Sequence, residues 1–440
     1  MTSTYPQDEP FDHEAVSRKD HRRGESSANL LEDNGVRDST YDPTSAHYAD
    51  GGYGYYGDAN DSKTVVPEMT EAGQKQYQDL EYSEPLDVPR AQPMAKQPNA
   101  LQRALGLRPY SLAQRIDDKK RGVVRQKHPI VAWTLSLAML GVIIFELVKN
   151  SQAQGTPVSF HPVVNPMLGP SPYVLINIGA RFPPCMKVVT DLTPTTSFPC
   201  MNDTANPPDR LCSLETLCGF GGFDDKDPDQ WFRFITPIFL HSGIIHFLLN
   251  MLAQCTASAE VEREMGSVGF LILYFATGIF GNVLGGNFSL VGAPSVGASG
   301  AIFGTIAVAW IDLFAHWKLH YRPGRKLVFM IIELLIGFAI GFIPFVDNFA
   351  HIGGFLMGLL VGMVLYPVIS PTRRHAIIVW TLRIAAIPLA VVLFVVLIRN
   401  FYTSDPYAAC SWCRYLSCIP SSINNHCKGT GFTSTSGTSI

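Results

Sequence analysis

The amino-acid sequence predicts an all-α fold, a polytopic membrane helix bundle that follows a disordered N-terminal tail. The chain has 440 residues and is 47% hydrophobic, but its apolar residues are concentrated beyond residue 128. In that region apolar stretches of roughly 18 to 25 residues recur, the length of helix that crosses about 30 Å of hydrocarbon. Because a helix satisfies its own backbone hydrogen bonds in lipid, these repeated stretches predict a bundle of membrane helices.

Residues 1 to about 100 differ from the rest of the chain in composition. They are rich in Asp, Glu, Gln, Ser, Pro, Gly and Tyr, and they show no apolar periodicity. Such a segment cannot bury enough apolar surface to offset the entropy that is lost on folding. We therefore predict that 1–128 is a disordered tail, which ends in a basic segment beside the first membrane helix.

Seven apolar segments make up a predicted membrane domain, 129–400. Their predicted bounds are 129–148, 234–257, 267–286, 297–316, 327–345, 350–368 and 376–399. A long loop, 149–233, separates the first two segments, and a cysteine-containing tail, 401–440, follows the last. The chain is therefore expected to consist of a tail, a helical membrane domain and a second tail.

Basic residues predict the orientation of these helices. Six Lys and Arg residues between 115 and 127 precede the first helix, and such residues favour the cytosolic side. After seven crossings the long loop and the C-terminal tail are luminal or extracellular. This topology predicts a multi-pass protein of the secretory pathway, in the Golgi, the endoplasmic reticulum or the plasma membrane.

Cysteine usage agrees with this orientation, because disulfides persist on the oxidising side of a secretory membrane. Four cysteines lie in the long loop and four in the C-terminal tail, namely Cys185, Cys200, Cys212, Cys218, Cys410, Cys413, Cys418 and Cys427. Their pairing stays open, since bridges within the loop, within the tail or between them are all allowed. A sequon at Asn202 fits luminal exposure, although Asn60, in the predicted cytosolic tail, matches equally well.

Polar side chains within three of the apolar segments predict a catalytic site. Ser299 begins the fourth segment, His351 begins the sixth, and His246 and Asn250 lie one helical turn apart on the second. Polar groups at this depth are costly and usually mark function. Because the second, fourth and sixth helices are predicted to run in the same direction, all four side chains can share one depth.

The chemistry of these residues predicts a nucleophile, a base and an oxyanion site. A serine hydroxyl attacks a carbonyl when a neutral imidazole accepts its proton, so Ser299 and His351 form the predicted pair. His246, Asn250 and the Ser299 amide are the predicted oxyanion donors. Taken singly, each side chain could instead be a packing residue or a hydrogen bond between helices.

Neighbouring residues are predicted to support this site. Gly297 and Gly300 allow close approach of two backbones, which brings the fourth helix against the sixth. Asp347 lies four residues before His351, where a capping or interfacial role is a better prediction than a third catalytic residue. The sequence predicts no metal site and no organic cofactor.

Taken together, these motifs resemble the signatures of the rhomboid intramembrane serine proteases. The resemblance spans about 129–400 and rests on Trp-Phe-Arg at 231–233, the His-containing run at 241–250, Gly-Ala-Ser-Gly at 297–300 and Ala-His-Ile-Gly-Gly at 350–354. It implies a rhomboid-like six-helix core with a catalytic dyad of serine and histidine. The additional seventh helix resembles the six-plus-one arrangement of eukaryotic secretory-pathway members.

The resemblance also implies a role for two residues in the long loop. Trp231 and Arg233 would support the structure of this loop, whereas the residue types alone indicate an interfacial aromatic and a cation at the headgroup boundary. Inactive members of the superfamily lack the catalytic serine or have proline beside it. Ala298 precedes Ser299 here, which favours activity.

We therefore predict an intramembrane serine endopeptidase that cleaves single-pass transmembrane proteins within or beside their membrane segment, near the luminal face, through an acyl-enzyme. The expected partners are these substrates, membrane lipid and cytosolic adaptors of the N-terminal tail, with no nucleic acid. A non-catalytic binder of membrane clients is one alternative. A transporter that uses Glu333 and Arg383 is another, although no inverted repeat is detectable.

Overall fold

The computed structural model describes residues 111–342, 345–403, 410, 412–418, 427 and 430. Ten helices are named here in chain order: α1 (Leu112–Lys120), α2 (Ile130–Gln154), α3 (Pro172–Asn177), α4 (Leu214–Cys218), α5 (Ile244–Met265), α6 (Ser267–Phe288), α7 (Ser299–Ala315), α8 (Pro323–Ile340), α9 (Asn348–Leu365) and α10 (Arg373–Thr403). Strands β1 (Ser197–Pro199) and β2 (Leu211–Ser213) pair antiparallel. The predicted all-α fold class is confirmed.

Each of the seven predicted membrane segments corresponds to one helix, namely α2 and α5 to α10. Among the described residues, α2, α5, α6, α9 and α10 are long and apolar enough to cross a membrane, and α7 is a shorter apolar helix. The prediction that the second segment begins at 234 is wrong, because α5 begins at Ile244. Residues 231–238 form two short 3₁₀ helices instead, and Pro237 would break an α-helix at this point.

The end of the predicted disordered tail is helical in the structure. In α1, Ser111 Oγ accepts a hydrogen bond from the Gln114 amide, which caps the helix. Lys119 Nζ lies 2.8 Å from Glu264 Oε1 and 2.8 Å from Asp312 Oδ1, so α1 is attached to the ends of α5 and α7. For residues 1–110, which lie outside the described residues, the tail remains a prediction.

Helices α7 and α9 pack backbone against backbone. A Cβ atom added to Gly354 would lie 1.9 Å from the Gly300 carbonyl oxygen, and one added to Gly358 would lie 2.6 Å from Gly304 Cα. The contacts advance by four residues in both helices, so the two helices run in the same direction. Ser299 and His351 therefore lie at the same end of the bundle, which we call the Ser299 end.

The long loop folds over the Ser299 end as a compact unit. It contains α3, α4 and the β1–β2 pair, and its apolar cluster includes Phe182, Phe198 and Leu217. Disulfides join Cys185 to Cys218 and Cys200 to Cys212 within the loop. Two more, Cys410–Cys413 and Cys418–Cys427, lie within the C-terminal tail, so the described bridges do not link loop and tail.

The close approach of α7 and α9 leads to a testable difference between two glycines. Gly354→Ala should lower the free energy of unfolding by about 1–3 kcal/mol or more, because the methyl group has no space against the backbone of Gly300. Gly141→Ala on α2 is the matched control, since nothing lies within 4 Å of its added Cβ. Unfolding of both variants in detergent measures the effect. Equal stabilities of the two variants would contradict this packing.

Candidate active site

Ser299 and His351 are brought together by the two closely packed helices. Ser299 is the first residue of α7 and is half-buried, while His351 lies in the first turn of α9 and is 1% exposed. The distance from Ser299 Oγ to His351 Nε2 is 2.8 Å. This separation allows the imidazole to accept the hydroxyl proton directly.

The ring of His351 is held by an aromatic side chain on α7. Phe303 lies one turn after Ser299, and its ring stacks on the imidazole with a centroid distance of 4.2 Å and an interplanar angle of 10°. Gly337 on α8 packs against Phe303, because a Cβ there would lie 2.4 Å from Phe303 Cζ. Phe303 therefore limits the orientations that the imidazole can adopt.

Asp347 has the contacts of a helix cap and an ion-pair partner. It caps α9, with its Oδ1 atom 2.9 Å from the Phe349 amide, and it forms a buried ion pair with Arg181. Burial raises the pKa of Asp347, but Arg181 and the hydroxyl of Ser289 outweigh this effect, so the pKa lies below its ordinary value. The bonds of the Asp347 carboxylate are to Phe349, Ser289, Ser417 and Arg181, and not to the His351 ring. The predicted capping role of Asp347 agrees with this geometry.

His246 lies beside the pair on α5, and Asn250 follows it by one helical turn; both are buried. A Cβ added to Gly297, whose φ is +134°, would lie 3.1 Å from His246 Nε2 and 3.5 Å from Ser299 Oγ. Both atoms therefore face the same small space, which only glycine leaves open. Asn250 Nδ2 has no hydrogen-bond partner among the described residues, so its donor is available.

Ser242 determines which nitrogen of His246 carries the proton. The Ser242 backbone N–H donates to His246 Nδ1 at 3.3 Å, and the Ser242 hydroxyl lies 2.9 Å from the same atom. Since a backbone amide can only donate, Nδ1 is the acceptor. A neutral His246 then carries its proton on Nε2, the atom that faces Ser299, and can donate a hydrogen bond there.

Trp231 and Arg233 occupy different environments in the long loop. Trp231 is 58% exposed, as an interfacial aromatic would be. Arg233 is 0% exposed, so the interpretation of this residue as a cation at the headgroup boundary is wrong. Its guanidinium instead donates to the carbonyl oxygens of Ile176, Ala180 and Cys218, and burial lowers its pKa to about 9. These bonds hold α3 and α4 together.

The structure also shows the contacts of Gly300 and of the two residues in the transporter alternative, Arg383 and Glu333. Gly300 lies against α9, since an added Cβ would be 3.2 Å from the Ala350 carbonyl oxygen. Arg383 Nη2 donates to the Tyr366 carbonyl at 2.6 Å, near the C-terminal end of α9. Glu333 is exposed on α8. Arg383 is therefore bound to the end of α9, and Glu333 lies on the surface of α8.

Three residues near the pair were missed by the sequence analysis. Ser242 and Phe303 had a local signal, because each lies four residues along the chain from a predicted site residue. Arg181 had none, since it lies in the long loop far along the chain from both Ser299 and His351. Only the fold shows that Arg181 contacts Asp347.

Comparison with known proteins identifies several similar proteins. The family model for the Rhomboid domain matches residues 228–368. The chain is 36% identical over 373 residues to the Rhomboid-type serine protease 2 of Emericella nidulans, covering 70% of this chain and 73% of that protein. It is 35% identical over 243 residues to the RHOMBOID-like protein 4 of Arabidopsis thaliana, covering 51% and 61%. It is 33% identical over 221 residues to the Inactive rhomboid protein 1 of Rattus norvegicus, covering 48% and 25%.

The stacking of Phe303 on His351 can be tested with a second phenylalanine of the same helix. Phe303→Ala should lower the free energy of unfolding by about 3–5 kcal/mol, because it leaves a cavity beside the imidazole. It should also slow the reaction of Ser299 with an organophosphonate. Phe314→Ala is the control, since Phe314 is 56% exposed. Comparable losses of unfolding free energy and of labelling rate in both variants would show that Phe303 affects the site no more than an exposed phenylalanine does.

Proposed function

We propose that this chain, which belongs to the rhomboid family, is an intramembrane serine endopeptidase that cleaves single-pass transmembrane proteins within or beside their membrane segment. The observation that carries the proposal is the 2.8 Å contact between Ser299 Oγ and His351 Nε2, with His246 Nε2 facing the same space. A protease name among the relatives supports this reading. Because another relative is named as inactive, catalytic activity has to be tested directly.

The proposed reaction begins with attack by Ser299 on the scissile carbonyl carbon. As Oγ forms its bond to carbon, its proton passes to His351 Nε2, and the carbonyl π electrons move to oxygen. The developing oxyanion accepts hydrogen bonds from His246 Nε2–H, Asn250 Nδ2 and the Ser299 backbone amide. This amide is at the start of α7 and has no partner within its own helix.

Collapse of the tetrahedral intermediate completes the first half of the reaction. The C–N bond breaks, and His351 gives its proton to the departing amine, which leaves an acyl ester on Ser299. Water then attacks the ester, and His351 accepts a proton from this water and returns it to Oγ. Because Ser299 is half-buried and not sealed within the core, water and a peptide bond can both reach it.

A membrane-embedded substrate is favoured by the location of Ser299. It lies at the end of α7 in a bundle of apolar helices, and α8 has only Met330 as a buried residue. We infer that a substrate helix approaches between α8 and the rest of the bundle, where few contacts must break. The N-terminal tail remains a proposed binding region for cytosolic adaptors.

The proposed orientation places the Ser299 end in the lumen and α1 in the cytosol. Four disulfides at or near the Ser299 end support this assignment, because such bonds persist in secretory compartments. Basic residues at the opposite end support it independently, through Arg125, Lys318 and Arg373. Golgi, endoplasmic reticulum and plasma membrane all fit this arrangement.

Activity is tested by comparing the wild-type protein with a variant that lacks the Ser299 hydroxyl, in labelling and in substrate cleavage. Ser299→Ala should abolish labelling by a fluorophosphonate and lower release of a tagged substrate ectodomain by about 10³-fold or more. Ser136→Ala is the control, because the hydrogen bonds of the Ser136 hydroxyl are to the Ala132 carbonyl within α2 and to Cys255 Sγ on α5. A folded wild-type protein that neither labels nor cleaves any of a panel of single-pass proteins would favour the non-catalytic binder.

Orientation is tested by N-linked glycosylation at Asn202. This residue is exposed in a turn inside the loop closed by Cys200 and Cys212, so a glycan has space there. A third sequon, at Asn287, lies buried in α6, where the Asn287 side chain bonds to Leu397 and Asn400.

We expect one glycan, seen as a shift in mobility after treatment with an N-glycosidase, and we expect Asn202→Gln to lose it. Thr204→Ser should retain it, because the sequon is preserved. Loss of the glycan in Asn60→Gln, with no effect of Asn202→Gln, would show that the membrane topology is reversed.

A further inference from the structure

A buried ion pair lies next to the catalytic pair. Arg181 Nη2, from the long loop, is 2.7 Å from Asp347 Oδ2, and both side chains are almost completely buried. Gly285 on α6 leaves the space for this contact, since a Cβ there would lie 2.0 Å from Arg181 Nη1 and 2.0 Å from Asp347 Oδ2. The long loop, α6 and the start of α9 therefore meet at this ion pair.

The backbone of Arg181 is attached to the segment that leads into α7. The Arg181 amide donates to the Ser295 carbonyl at 3.0 Å, and the Ser295 amide donates to the Arg181 carbonyl at 3.0 Å. Ser295 precedes Ser299 by four residues. Arg181 thus holds the start of the helix that carries the nucleophile.

The other partner of the ion pair is attached to the helix that carries the base. Asp347 Oδ1 accepts from the Phe349 amide at 2.9 Å, and the Asp347 carbonyl accepts from the His351 amide at 3.2 Å. The hydroxyls of Ser289 and Ser417 also donate to Oδ1, at 2.6 Å and 3.0 Å. A change at Asp347 therefore reaches His351 through the first turn of α9.

We propose that Arg181 and Asp347 are positioning residues, which hold Ser299 Oγ and His351 Nε2 at hydrogen-bond distance by linking the starts of α7 and α9. This inference rests on the proposed function. It requires no contact of either residue with the substrate. The physical basis is that a displacement of about 1 Å within a catalytic pair can lower the rate by about 10²-fold.

Single and double variants separate positioning from stability. Asp347→Asn leaves Arg181 buried without its counter-charge, so it should lower stability as well as activity. In the double variant Arg181→Met with Asp347→Leu, both charges are gone, and apolar replacement of a buried ion pair often recovers stability. If the pair acts by positioning, the double variant recovers part of the unfolding temperature that Asp347→Asn loses, but not the activity; recovery is partial because Leu also removes the cap of α9.

The measurements are kcat and KM for cleavage of a transmembrane substrate, the rate of fluorophosphonate labelling and the unfolding temperature. In the double variant we expect kcat and the labelling rate to fall at least about tenfold, with KM within about twofold, because the substrate site is kept while the reacting atoms are displaced. Arg181→Lys keeps the charge and should recover part of kcat.

Lys187→Met provides the matched control. Lys187 is also a buried cation of the long loop, but its Nζ atom donates to the Phe401 carbonyl of α10, far along the chain from α7 and α9. This variant should keep the wild-type kcat. Recovery of stability and activity together in the double variant, or an equal loss of kcat in Lys187→Met, would overturn the proposal.

Failure of the proposed function can be distinguished from failure of this inference. If the wild-type protein neither labels nor cleaves, an experimental structure of the double variant decides the question. An Oγ to Nε2 distance that remains at 2.8 Å would overturn the positioning role, whereas separation of the two atoms beyond hydrogen-bond distance would support it in an inactive protein as well.

Discussion

The candidate site depends on how closely α7 and α9 approach each other. Without a hydrophobic driving force between helices in lipid, close packing relies on van der Waals contact between small residues. Gly354 lies against the Gly300 carbonyl and Gly358 against Gly304, so the two backbones touch over successive turns. The contact between Ser299 and His351 follows from this register, because both residues lie in the first turn of their helices.

The helices of this pair are also held at the end opposite Ser299. Lys119 on α1 lies 2.8 Å from Asp312 near the end of α7, and the Tyr366 hydroxyl, just after α9, lies 2.7 Å from the same carboxylate. Burial lowers the pKa of Lys119, but Asp312 and Glu264 raise it above its ordinary value, so Lys119 is charged at neutral pH. Ionic contacts thus hold both ends of the two helices, with the Arg181–Asp347 pair at the Ser299 end.

Much of this arrangement could be predicted from local sequence, and the rest could not. Apolar length predicted the helices, and residue types costly in lipid identified Ser299 and His351, because both signals belong to short segments. The start of α5 was misplaced because an apolar composition does not distinguish an α-helix from the 3₁₀ turns around Pro237. The disulfide pairing and the Arg181–Asp347 contact depend on long-range folding of the loop, for which local sequence carries no signal.

The distribution of buried contacts also indicates which part of the structure can move for a substrate. The long loop is held by two disulfides and by the Arg233 guanidinium, so lifting it would break several buried hydrogen bonds at once. Helix α8 is different, because Met330 is its only buried side chain among the described residues. Segments with few buried apolar contacts open at the lowest free energy. Since Gly337 on α8 packs against Phe303, displacement of α8 would uncover the ring that holds His351, and access of a substrate would be coupled to the orientation of the base.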